Sequence, residues 1–451
     1  MRYLALAADY DETLASEGEV RKETFAALSL LRKSGRRTIL VTGRELPDLR
    51  RVCPRLDLFD RVVTENGALL YRPQSGAELA LAGPPPAGLV ERLRELQIPV
   101  SAGRVLLSTR EPHQAAAVEV MRALGVQLRV IRNKGAVMLL PPGVDKRSGL
   151  SAALDELGLS LRNTVAVGDA ENDEGMLAAS QCGVAVANAL RSVKDGADLV
   201  LREPRGQGVE ELIARLITED LRSVLVARHA LLLGQRRDGT GLRVSPAARV
   251  LIAGPSGKAT AATRFLARLV SAGYQCCLVV DDRRVEGVAG VGEKHRPPGI
   301  EEVLQLLRHP HLHAAACLTA VPLRDRPAFL AALLPRLQEL RARLGRPHWI
   351  VIDDAHQYFP DAREPAPLML PRDLGGILLL TSHPERLSRA VLQAVDTVLA
   401  AGDRPEETLR LFGEVRPAAL LEGEVLSWSN GQIEPLRVGT ADPPSLDAAG
   451  S

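Results

Sequence analysis

The sequence predicts an α/β protein with two modules, one in each half of the chain. Short apolar runs that suit buried parallel strands alternate with amphipathic stretches of helical period from Met1 to about Glu219. The same alternation starts again at Arg249 and continues to about Phe412. A chain of 451 residues is also too long for one typical domain. We therefore expect two cores, each built on its own sheet.

Composition and charge argue against several classes of protein. Apolar residues make up 46% and charged residues 25%, as in ordinary globular proteins, and the net charge of +2 favours neither a nucleic acid nor a membrane as partner. The five cysteines have neither metal-ligand nor disulfide spacing, which predicts buried reduced thiols. The amino terminus enters a strand with no signal peptide, and no apolar run approaches ~18 residues. These features predict a cytoplasmic protein.

The first strand delivers two carboxylates to the edge of the predicted sheet. The apolar run Leu4–Ala8 is followed at once by Asp9 and Asp11. Ligand-binding and catalytic groups of open α/β sheets collect at the carboxyl ends of strands. Burying two like charges there is costly unless a metal or a cationic partner compensates them. The alternative is an ordinary acidic turn after a strand.

The next predicted strand ends in a hydroxyl group and a glycine. A helix with apolar positions at Phe25, Leu28 and Leu31 precedes it and stops at Gly35. The strand Thr38–Val41 then leads into a polar end, made of Thr42, Gly43 and Arg44. Such an end can offer a hydroxyl and backbone N–H groups to a phosphate. Threonine is also common where a strand simply leads into a helix cap.

A later strand ends in a cluster of oxygen ligands, and a lysine precedes it. The run 163–167 leads through Gly168 to four side chains that suit a hard cation such as Mg²⁺, namely Asp169, Glu171, Asn172 and Asp173. An acidic first turn of a helix gives the same pattern. Lys146, before a predicted helix at Ser148, would by itself be an ordinary surface charge.

Together and in this order, these four segments resemble the motifs of the haloacid dehalogenase superfamily of phosphohydrolases. The strings Glu65-Asn66-Gly67-Ala68 and Ala185-Val186-Ala187-Asn188-Ala189 are similar to the subgroup that carries a cap inserted between the second and third motifs. The resemblance spans about residues 1–216 and implies a Rossmann-like core. One departure is Glu12, where the subgroup usually has glycine.

The resemblance implies a role for each motif residue in the hydrolysis of a small phosphomonoester, such as a sugar phosphate. Asp9 would attack phosphorus and form a phosphoaspartate, and Asp11 would be the general acid and base. The remaining implied ligands fall into two sets. Substrate would be bound by Thr42, Gly43, Arg44, Lys146 and Asn172. Mg²⁺ would be held by Asp9, the backbone carbonyl of Asp11 and Asp169, with Asp173 in support.

A small α/β cap is expected at about residues 84–143. Its apolar periodicity predicts two helices and three strands, in the order helix 89–96, strand 104–108, helix 112–124, strand 127–132 and strand 136–140. The turn between the last two strands is polar, with Arg132, Asn133 and Lys134. These three residues are candidate substrate contacts, and a plain polar hairpin tip is the alternative.

The second module resembles RecA-like P-loop ATPases of the motor type over about residues 249–412. A strand at 249–253 leads through a turn with Gly254 and Gly257 to Lys258, and a helix follows. The apolar strand 349–352 ends in Asp353 and Asp354, similar to a Walker-B strand. A third strand, 377–381, has a polar end like a sensor strand. The resemblance implies a nucleotide site, with ATP as a possible ligand.

The phosphate loop of this second module departs from the motif. The glycine expected five positions before the Gly-Lys pair is Ile252, and the hydroxyl expected after Lys258 is Ala259, with Thr260 one position late. Fewer N–H groups would surround a triphosphate, so we expect weak or absent ATP hydrolysis and a fold kept for docking or regulation. The competing hypothesis is an ATP-binding or ATP-hydrolysing motor or regulatory protein with an accessory hydrolase module.

The expected domain boundaries follow from these patterns. They are a hydrolase-like domain at 1–220, a linker with a hairpin at 221–248, a P-loop-like domain at 249–415, terminal strands at 416–438 and a disordered tail at 439–451. Asp238-Gly239 suits the tight turn of the hairpin. The sequence names neither the exact substrate nor an oligomeric state.

Overall fold

The structure is a computed structural model that describes residues 2–133, 135–224, 226–281, 285–361, 370, 374–415 and 419–438. The chain divides into two compact units, residues 1–227 and 228–451. The tail expected at 439–451 lies outside the described residues. Within the described part of the chain, no helix is both long enough and apolar enough to cross a membrane.

The first unit alternates strands and helices. Its strands are β1 (Ala5–Ala8), β2 (Ala15–Ser16), β3 (Glu19–Val20), β4 (Arg37–Val41), β5 (Arg61–Thr64), β6 (Leu69–Arg72), β7 (Ala77–Ala80), β8 (Ser101–Ala102), β9 (Leu107–Arg110), β10 (Arg129–Asn133), β11 (Ala136–Leu140), β12 (Thr164–Gly168), β13 (Cys182–Ala185) and β14 (Leu199–Val200). Its helices are α1 (Lys22–Lys33), α2 (Leu46–Val52), α3 (Ala87–Glu95), α4 (Gln114–Ala123), α5 (Lys146–Glu156), α6 (Glu174–Ala179), α7 (Arg191–Gly196) and α8 (Arg205–Glu219).

The main sheet of this unit has the strand order β14-β13-β12-β1-β4-β5-β6-β7. Strands β14 to β5 are parallel, and β6 and β7 are antiparallel. β1 lies between β4, which follows it in sequence, and β12, which comes much later. The chain therefore changes direction across the sheet at β1, the position where ligands bind in open α/β sheets.

Apolar strands and helix stripes form the core of this sheet, as the sequence predicts. β1 is buried along its whole length, and α1 turns Leu28 and Leu31 into the same core. Gly35 adopts a φ of +89°, which the residue that ends a helix often needs and which glycine adopts without strain.

The cap is a small α/β layer with its own core. Its sheet has the order β10-β11-β9-β8, and α3 and α4 bury Leu89, Leu93 and Val120 with Leu107 of β9. The predicted strand 104–108 begins only at Leu107. The three residues before it direct their backbone N–H groups to a side chain of the main domain instead of to a neighbouring strand.

The second unit is built on one large sheet. Its strands are β15 (Leu231–Gln235), β16 (Gly241–Val244), β17 (Arg249–Ala253), β18 (Cys276–Val280), β19 (Ala289–Val291), β20 (Ala314–Cys317), β21 (Trp349–Ile352), β22 (Ile377–Thr381), β23 (Thr397–Ala400), β24 (Glu424–Ser429) and β25 (Gln432–Arg437). Its helices are α9 (Lys258–Ser271), α10 (Ile300–Arg308), α11 (Arg326–Leu344), α12 (Arg389–Ala394) and α13 (Pro405–Leu409).

The strand order of this second sheet is β16-β15-β25-β24-β23-β17-β22-β21-β18-β20-β19. The run from β23 to β19 is parallel, and the strands before β23 are antiparallel. The segment 221–248, expected to be a linker with a hairpin, contains that hairpin as β15 and β16. Because β15 pairs with β25, the hairpin extends the sheet and is not a free connection.

Candidate active site

Three buried carboxylates meet at the carboxyl ends of β1 and β12. Asp9 follows β1 and Asp169 follows β12, and these neighbouring parallel strands end side by side. The N–H of Asp9 donates to the carbonyl of Val167 at 3.0 Å, which fixes the start of the Asp9 turn. Carboxylate oxygens of Asp9, Asp169 and Asp173 all lie within 4.8 Å of one another. The sequence motifs separated by some 160 residues thus form one cluster.

Lys146 lies against this cluster. It is the first residue of α5 and is only 1% exposed, and its Nζ lies 2.5 Å from Oδ1 of Asp9 and 2.6 Å from Oδ1 of Asp173. A capping box between Asp145 and Ser148 fixes the start of the helix. Burial alone would lower the pKa of Lys146, but Asp173 and Asp9 hold that pKa above its ordinary value. The lysine is therefore charged and held in place.

Asp173 has its hydrogen-bonding capacity taken up within the protein. Oδ1 accepts from Lys146, and Oδ2 accepts the backbone N–H groups of Asp169 and Ala170, both at 3.0 Å. These contacts orient the turn that carries Asp169. Few lone pairs of Asp173 therefore remain for a ligand of its own.

The charge of the cluster suits a divalent cation. When all three carboxylates are ionised they face one ammonium, which leaves two negative charges in a buried site. Burial and the nearby Asp173 raise the pKa of Asp9 well above its ordinary value, although Lys146 offsets part of this effect. An all-oxygen donor set of this kind is the one that Mg²⁺ prefers. The described residues thus fit a Mg²⁺ ion.

Asp11 does not join the cluster through its side chain. Its carboxylate is bound by Arg44, with Nη2 2.7 Å from Oδ1 and Nε 2.9 Å from Oδ2. Arg44 also binds Asp48 at 2.6 Å, and its guanidinium carbon lies 5.5 Å from the centre of the Tyr10 ring. Of the four metal ligands that the sequence predicts, Asp9, Asp169 and Asp173 bring their side chains together. The side chain of Asp11 is taken up by Arg44, so only its backbone carbonyl is left as a candidate ligand.

Thr42 is fully buried at the end of β4 with its hydroxyl oriented. Its Oγ1 accepts the backbone N–H of Arg44 at 3.2 Å, so the hydroxyl can still donate one hydrogen bond. A cavity of about 190 Å³ adjoins this end of the strand. It is lined by Asp9, Asp11, Gly43, Arg44, Ala136, Met138 and Asp169. The cap thus contributes Ala136 and Met138 of β11 to the walls.

The string Glu65-Asn66-Gly67, for whose residues the sequence predicts no individual role, forms a turn beside the site. All three have positive φ, of 52°, 54° and 108°. Glu65 is 1% exposed and accepts the backbone N–H groups of cap residues Arg104, Val105 and Leu106 at 2.9, 2.8 and 2.8 Å. A β-carbon at Gly67 would lie 1.8 Å from the carbonyl oxygen of Asp145. The turn at 65–67 therefore contacts both the cap and the start of α5, the helix that begins at Lys146.

Asn172 lies beside the same turn. Its Nδ2 donates to Oδ1 of Asn66 at 3.0 Å. Of the three cap residues predicted as substrate contacts, Arg132 bonds to Gln114 at 2.7 Å, and it lines the cavity that adjoins Asn172. Lys134 and the side chain of Asn133 lie outside the described residues.

Glu12, which stands where the resembled subgroup usually has glycine, is accommodated by its own side-chain and backbone partners. Glu12 adopts a φ of 63°, a conformation that glycine enters without strain. Here the carboxylate of Glu12 accepts from Arg205 at 2.7 Å, and its backbone carbonyl accepts from Asn188 at 2.8 Å. These partners hold a residue other than glycine in the loop that carries Asp11. Neither the φ nor the partners could be read from a single sequence.

The second unit also has a polar cavity at the carboxyl ends of its strands, of about 350 Å³. Gly257, with a φ of 76°, precedes α9, and Nζ of Lys258 lies 3.3 Å from Oδ1 of Asp353 and 3.2 Å from Oδ1 of Asp354. The cavity is lined by Pro255, Ser256, Gly257, Lys258, Ala259, Asp281, Asp353, Asp354 and Ser382. Gly254 and Thr260 are not among these described lining residues, and Thr260 is exposed on α9.

Comparison with known proteins concerns the first unit. A family model described as haloacid dehalogenase-like hydrolase matches residues 6–82 and 99–213. A phosphoglycolate phosphatase of Aeropyrum pernix is 33% identical over 221 residues, which are 47% of this chain and 92% of the relative. One of Haloarcula marismortui is 31% identical over 219 residues, 46% of this chain and 95% of the relative. A crystal structure of a haloacid dehalogenase-like hydrolase from Bacteroides thetaiotaomicron aligns with a TM-score of 0.43 and 21% identity, over 48% of this chain and 99% of that one.

Proposed function

The first half of the chain belongs to the haloacid dehalogenase-like hydrolases and is a phosphoric monoester hydrolase, and we propose that it works through a phosphoaspartate on Asp9. The observation that carries the proposal is the position of Asp9, buried at the end of β1 between Lys146 and Asp169. A carboxylate held among charged groups at a cavity wall can act as a nucleophile. The new bond joins an oxygen of Asp9 to phosphorus as the bond to the leaving oxygen breaks.

Asp11 is proposed as the general acid and base. It would give a proton to the leaving oxygen and later take one from the water that cleaves the phosphoaspartate. Both Asp9 and Asp11 line the cavity of about 190 Å³, so both face the same space. The bidentate contact with Arg44 orients the Asp11 carboxylate for these transfers.

Thr42, Gly43 and Lys146 are proposed to hold the phosphoryl oxygens. The hydroxyl of Thr42 and the charged amine of Lys146 offer hydrogen bonds where negative charge develops. Asn172 lies next to Gly43, since a β-carbon at Gly43 would be 3.9 Å from its Nδ2. Asn172 is therefore proposed as a further substrate contact.

A Mg²⁺ ion is proposed at the carboxylate cluster. Asp9, Asp169 and the backbone carbonyl of Asp11 would hold it, and Asp173 would support them. Once bound, the ion would offset the repulsion between the Asp9 carboxylate and a phosphate dianion. The two uncompensated charges of the cluster support this assignment.

The substrate is proposed to be a small phosphorylated metabolite. Because two relatives are named phosphoglycolate phosphatase, we propose phosphoglycolate and sugar phosphates as the compounds to test. The phosphoaspartate itself can be tested by rapid quenching with a ³²P-labelled monoester. We expect hydroxylamine-labile label on the peptide that contains Asp9, and no label in Asp9→Asn. Turnover with no labelled peptide under any quench condition would contradict the covalent mechanism.

A nucleotide site in the second unit is a second candidate function. Its support is the cavity at the end of β17, where Gly257, Lys258 and two carboxylates converge between a strand and a helix. Ala259 offers no hydroxyl at the cavity, and Lys258 is already engaged by Asp353 and Asp354. We therefore propose weak or absent ATP hydrolysis, with nucleotide binding used for regulation or docking.

A further inference from the structure

Two residues with positive φ and a β-carbon meet beside the candidate active site. Glu12, in the loop after β1, has a φ of 63°, and Arg205, the first residue of α8, has a φ of 50°. Nε of Arg205 donates to Oε2 of Glu12 at 2.7 Å. The left-handed conformation is strained for a residue with a β-carbon, and such strain persists only where partners hold it. The ion pair therefore lets each of these residues hold the other.

Asn188 joins the same two residues through their backbones. Its Nδ2 donates to the carbonyl of Glu12 at 2.8 Å, and its Oδ1 accepts the N–H of Arg205 at 2.8 Å. We call Glu12, Asn188 and Arg205 the Glu12 clasp. Its three hydrogen bonds connect the loop after β1 to the residues that follow β13 and to the start of α8.

The Glu12 clasp is anchored on well-packed backbone. A β-carbon at Gly206, the next residue of α8, would lie 3.0 Å from the carbonyl oxygen of Leu14. On the other side, the N–H of Leu190 donates to the carbonyl of Asp169 at 2.9 Å. The clasp thus connects the loop of Asp11 to a segment that also contacts the turn of Asp169.

The φ of Glu12 bears directly on one proposed ligand of Mg²⁺. The carbonyl of Asp11 and the N–H of Glu12 belong to one planar peptide group, so the direction of that carbonyl depends on the φ of Glu12. A change to the negative φ that glutamate ordinarily adopts would turn this peptide group and its carbonyl. Glu12 can therefore act on the metal site although the described lining of the cavity of about 190 Å³ includes Asp11 and not Glu12.

We propose that the Glu12 clasp positions the carbonyl of Asp11 for Mg²⁺ and thereby sets the affinity of the first unit for this ion. Glu12 and Arg205 are positioning residues, because they act through the peptide group that follows Asp11. This inference rests on the Mg²⁺ site proposed above. It distinguishes alanine from glycine at position 12, since glycine adopts a positive φ without strain.

Titration calorimetry of the full chain with Mg²⁺ measures the affinity. Heat that remains in Asp169→Asn belongs to other sites and is subtracted. Glu12→Ala removes the ion pair and keeps a β-carbon, so the loop can relax to a negative φ, and we expect the dissociation constant to rise about threefold to tenfold. Glu12→Gly removes the same ion pair but needs no partner at this φ, so we expect a rise of about twofold at most.

Arg205→Ala tests the other side of the ion pair. It should raise the dissociation constant as Glu12→Ala does, and it should have no further effect when Glu12→Gly is already present. Glu219→Ala is the matched control, because it removes a partly exposed ion pair of 3.3 Å with Arg215 on the same helix. That variant should bind Mg²⁺ as wild type does. Melting in EDTA measures the stability of each variant separately from its affinity.

The possible failures are distinguishable. Wild type without Mg²⁺ binding that depends on Asp169 would overturn the proposed metal site and this inference with it. A Glu12→Ala variant that melts at a lower temperature in EDTA but binds Mg²⁺ as wild type does would show that the clasp only stabilises the fold, and would overturn the inference alone. An equal loss of affinity in Glu12→Ala and Glu12→Gly would show that Glu12 acts through its charge, and would also overturn it.

Discussion

The guanidinium of Arg44 binds the carboxylate of Asp11 in a two-point contact, with nitrogen–oxygen distances of 2.7 and 2.9 Å. Asp48 and the ring of Tyr10 hold Arg44 from the other sides. Arg44, a residue of the next motif along the chain, therefore orients the carboxylate of Asp11, the proposed general acid. Its orientation depends on a fork of two N–H groups, which lysine cannot reproduce.

Arg44→Lys should therefore lower kcat more than it raises KM. The charge remains but the two-point contact is lost, so we expect kcat to fall by about tenfold or more while the fold is kept. Steady-state kinetics with p-nitrophenyl phosphate measure this split. Arg51→Lys is the control, because Arg51 binds Asp48 but lies exposed on α2. An unchanged kcat in Arg44→Lys would show that Arg44 does not position Asp11.

Glu65→Gln should loosen the attachment of the cap. The amide can still accept at one oxygen, but its NH₂ group would face a backbone N–H that Glu65 now satisfies. Hydrogen exchange at residues 104–106 should become about tenfold faster or more. Glu95→Gln, an exposed change on α3 of the cap, should leave that exchange unaltered. Equal protection in Glu65→Gln and wild type would contradict the role of this carboxylate.

Removal of divalent cation should lower the stability of the first unit. A cation that binds the folded cluster stabilises it, by about 2.7 kcal/mol at one hundred times its dissociation constant. Calorimetric melting in Mg²⁺ and in EDTA should therefore differ by several degrees for this unit. Asp169→Asn should lose the difference, and Asp57→Asn, on an exposed carboxylate paired with Arg55, should keep it. A wild-type melting temperature that is the same in Mg²⁺ and in EDTA would contradict the metal site.

Lys258→Ala should abolish any nucleotide binding by the second unit. Its amine is the cationic side chain among the described residues that line the cavity, and without it Asp353 and Asp354 would repel phosphates. Titration calorimetry with MgATP measures the affinity. Thr260→Ala is the control, since Thr260 is exposed and does not line the cavity. Wild-type protein that binds no nucleotide, or a Lys258→Ala variant that binds as wild type does, would refute the proposed site.

The sequence was sufficient for the parts of the fold that depend on periodicity. The apolar run before Asp9 and the helix that buries Leu28 and Leu31 follow from the spacing of apolar residues. Polar residues at strand ends also predicted which motifs would meet, because parallel strands end at one edge of a sheet. The meeting of Asp9, Lys146 and Asp169 illustrates this.

Other features depend on backbone conformation and on long-range partners. The positive φ of Glu12 and Glu65 cannot be predicted from one sequence, because glutamate rarely adopts this conformation. The late start of β9 arises from the bonds of three N–H groups to Glu65. In the second unit, Thr260 stands one position later than the phosphate-loop motif expects for its hydroxyl. It is exposed on α9 and does not line the cavity.

Phosphate release from phosphomonoesters and ATP in Mg²⁺, compared among wild type, Asp9→Asn and Lys258→Ala, tests the central claim most directly. We expect monoester turnover to fall by about a thousandfold or more in Asp9→Asn, because the nucleophile is lost. Lys258→Ala should keep the wild-type rate. ATP turnover that is lost in Lys258→Ala and survives in Asp9→Asn, with no monoester hydrolysed, would contradict the account and make the second unit the catalytic one.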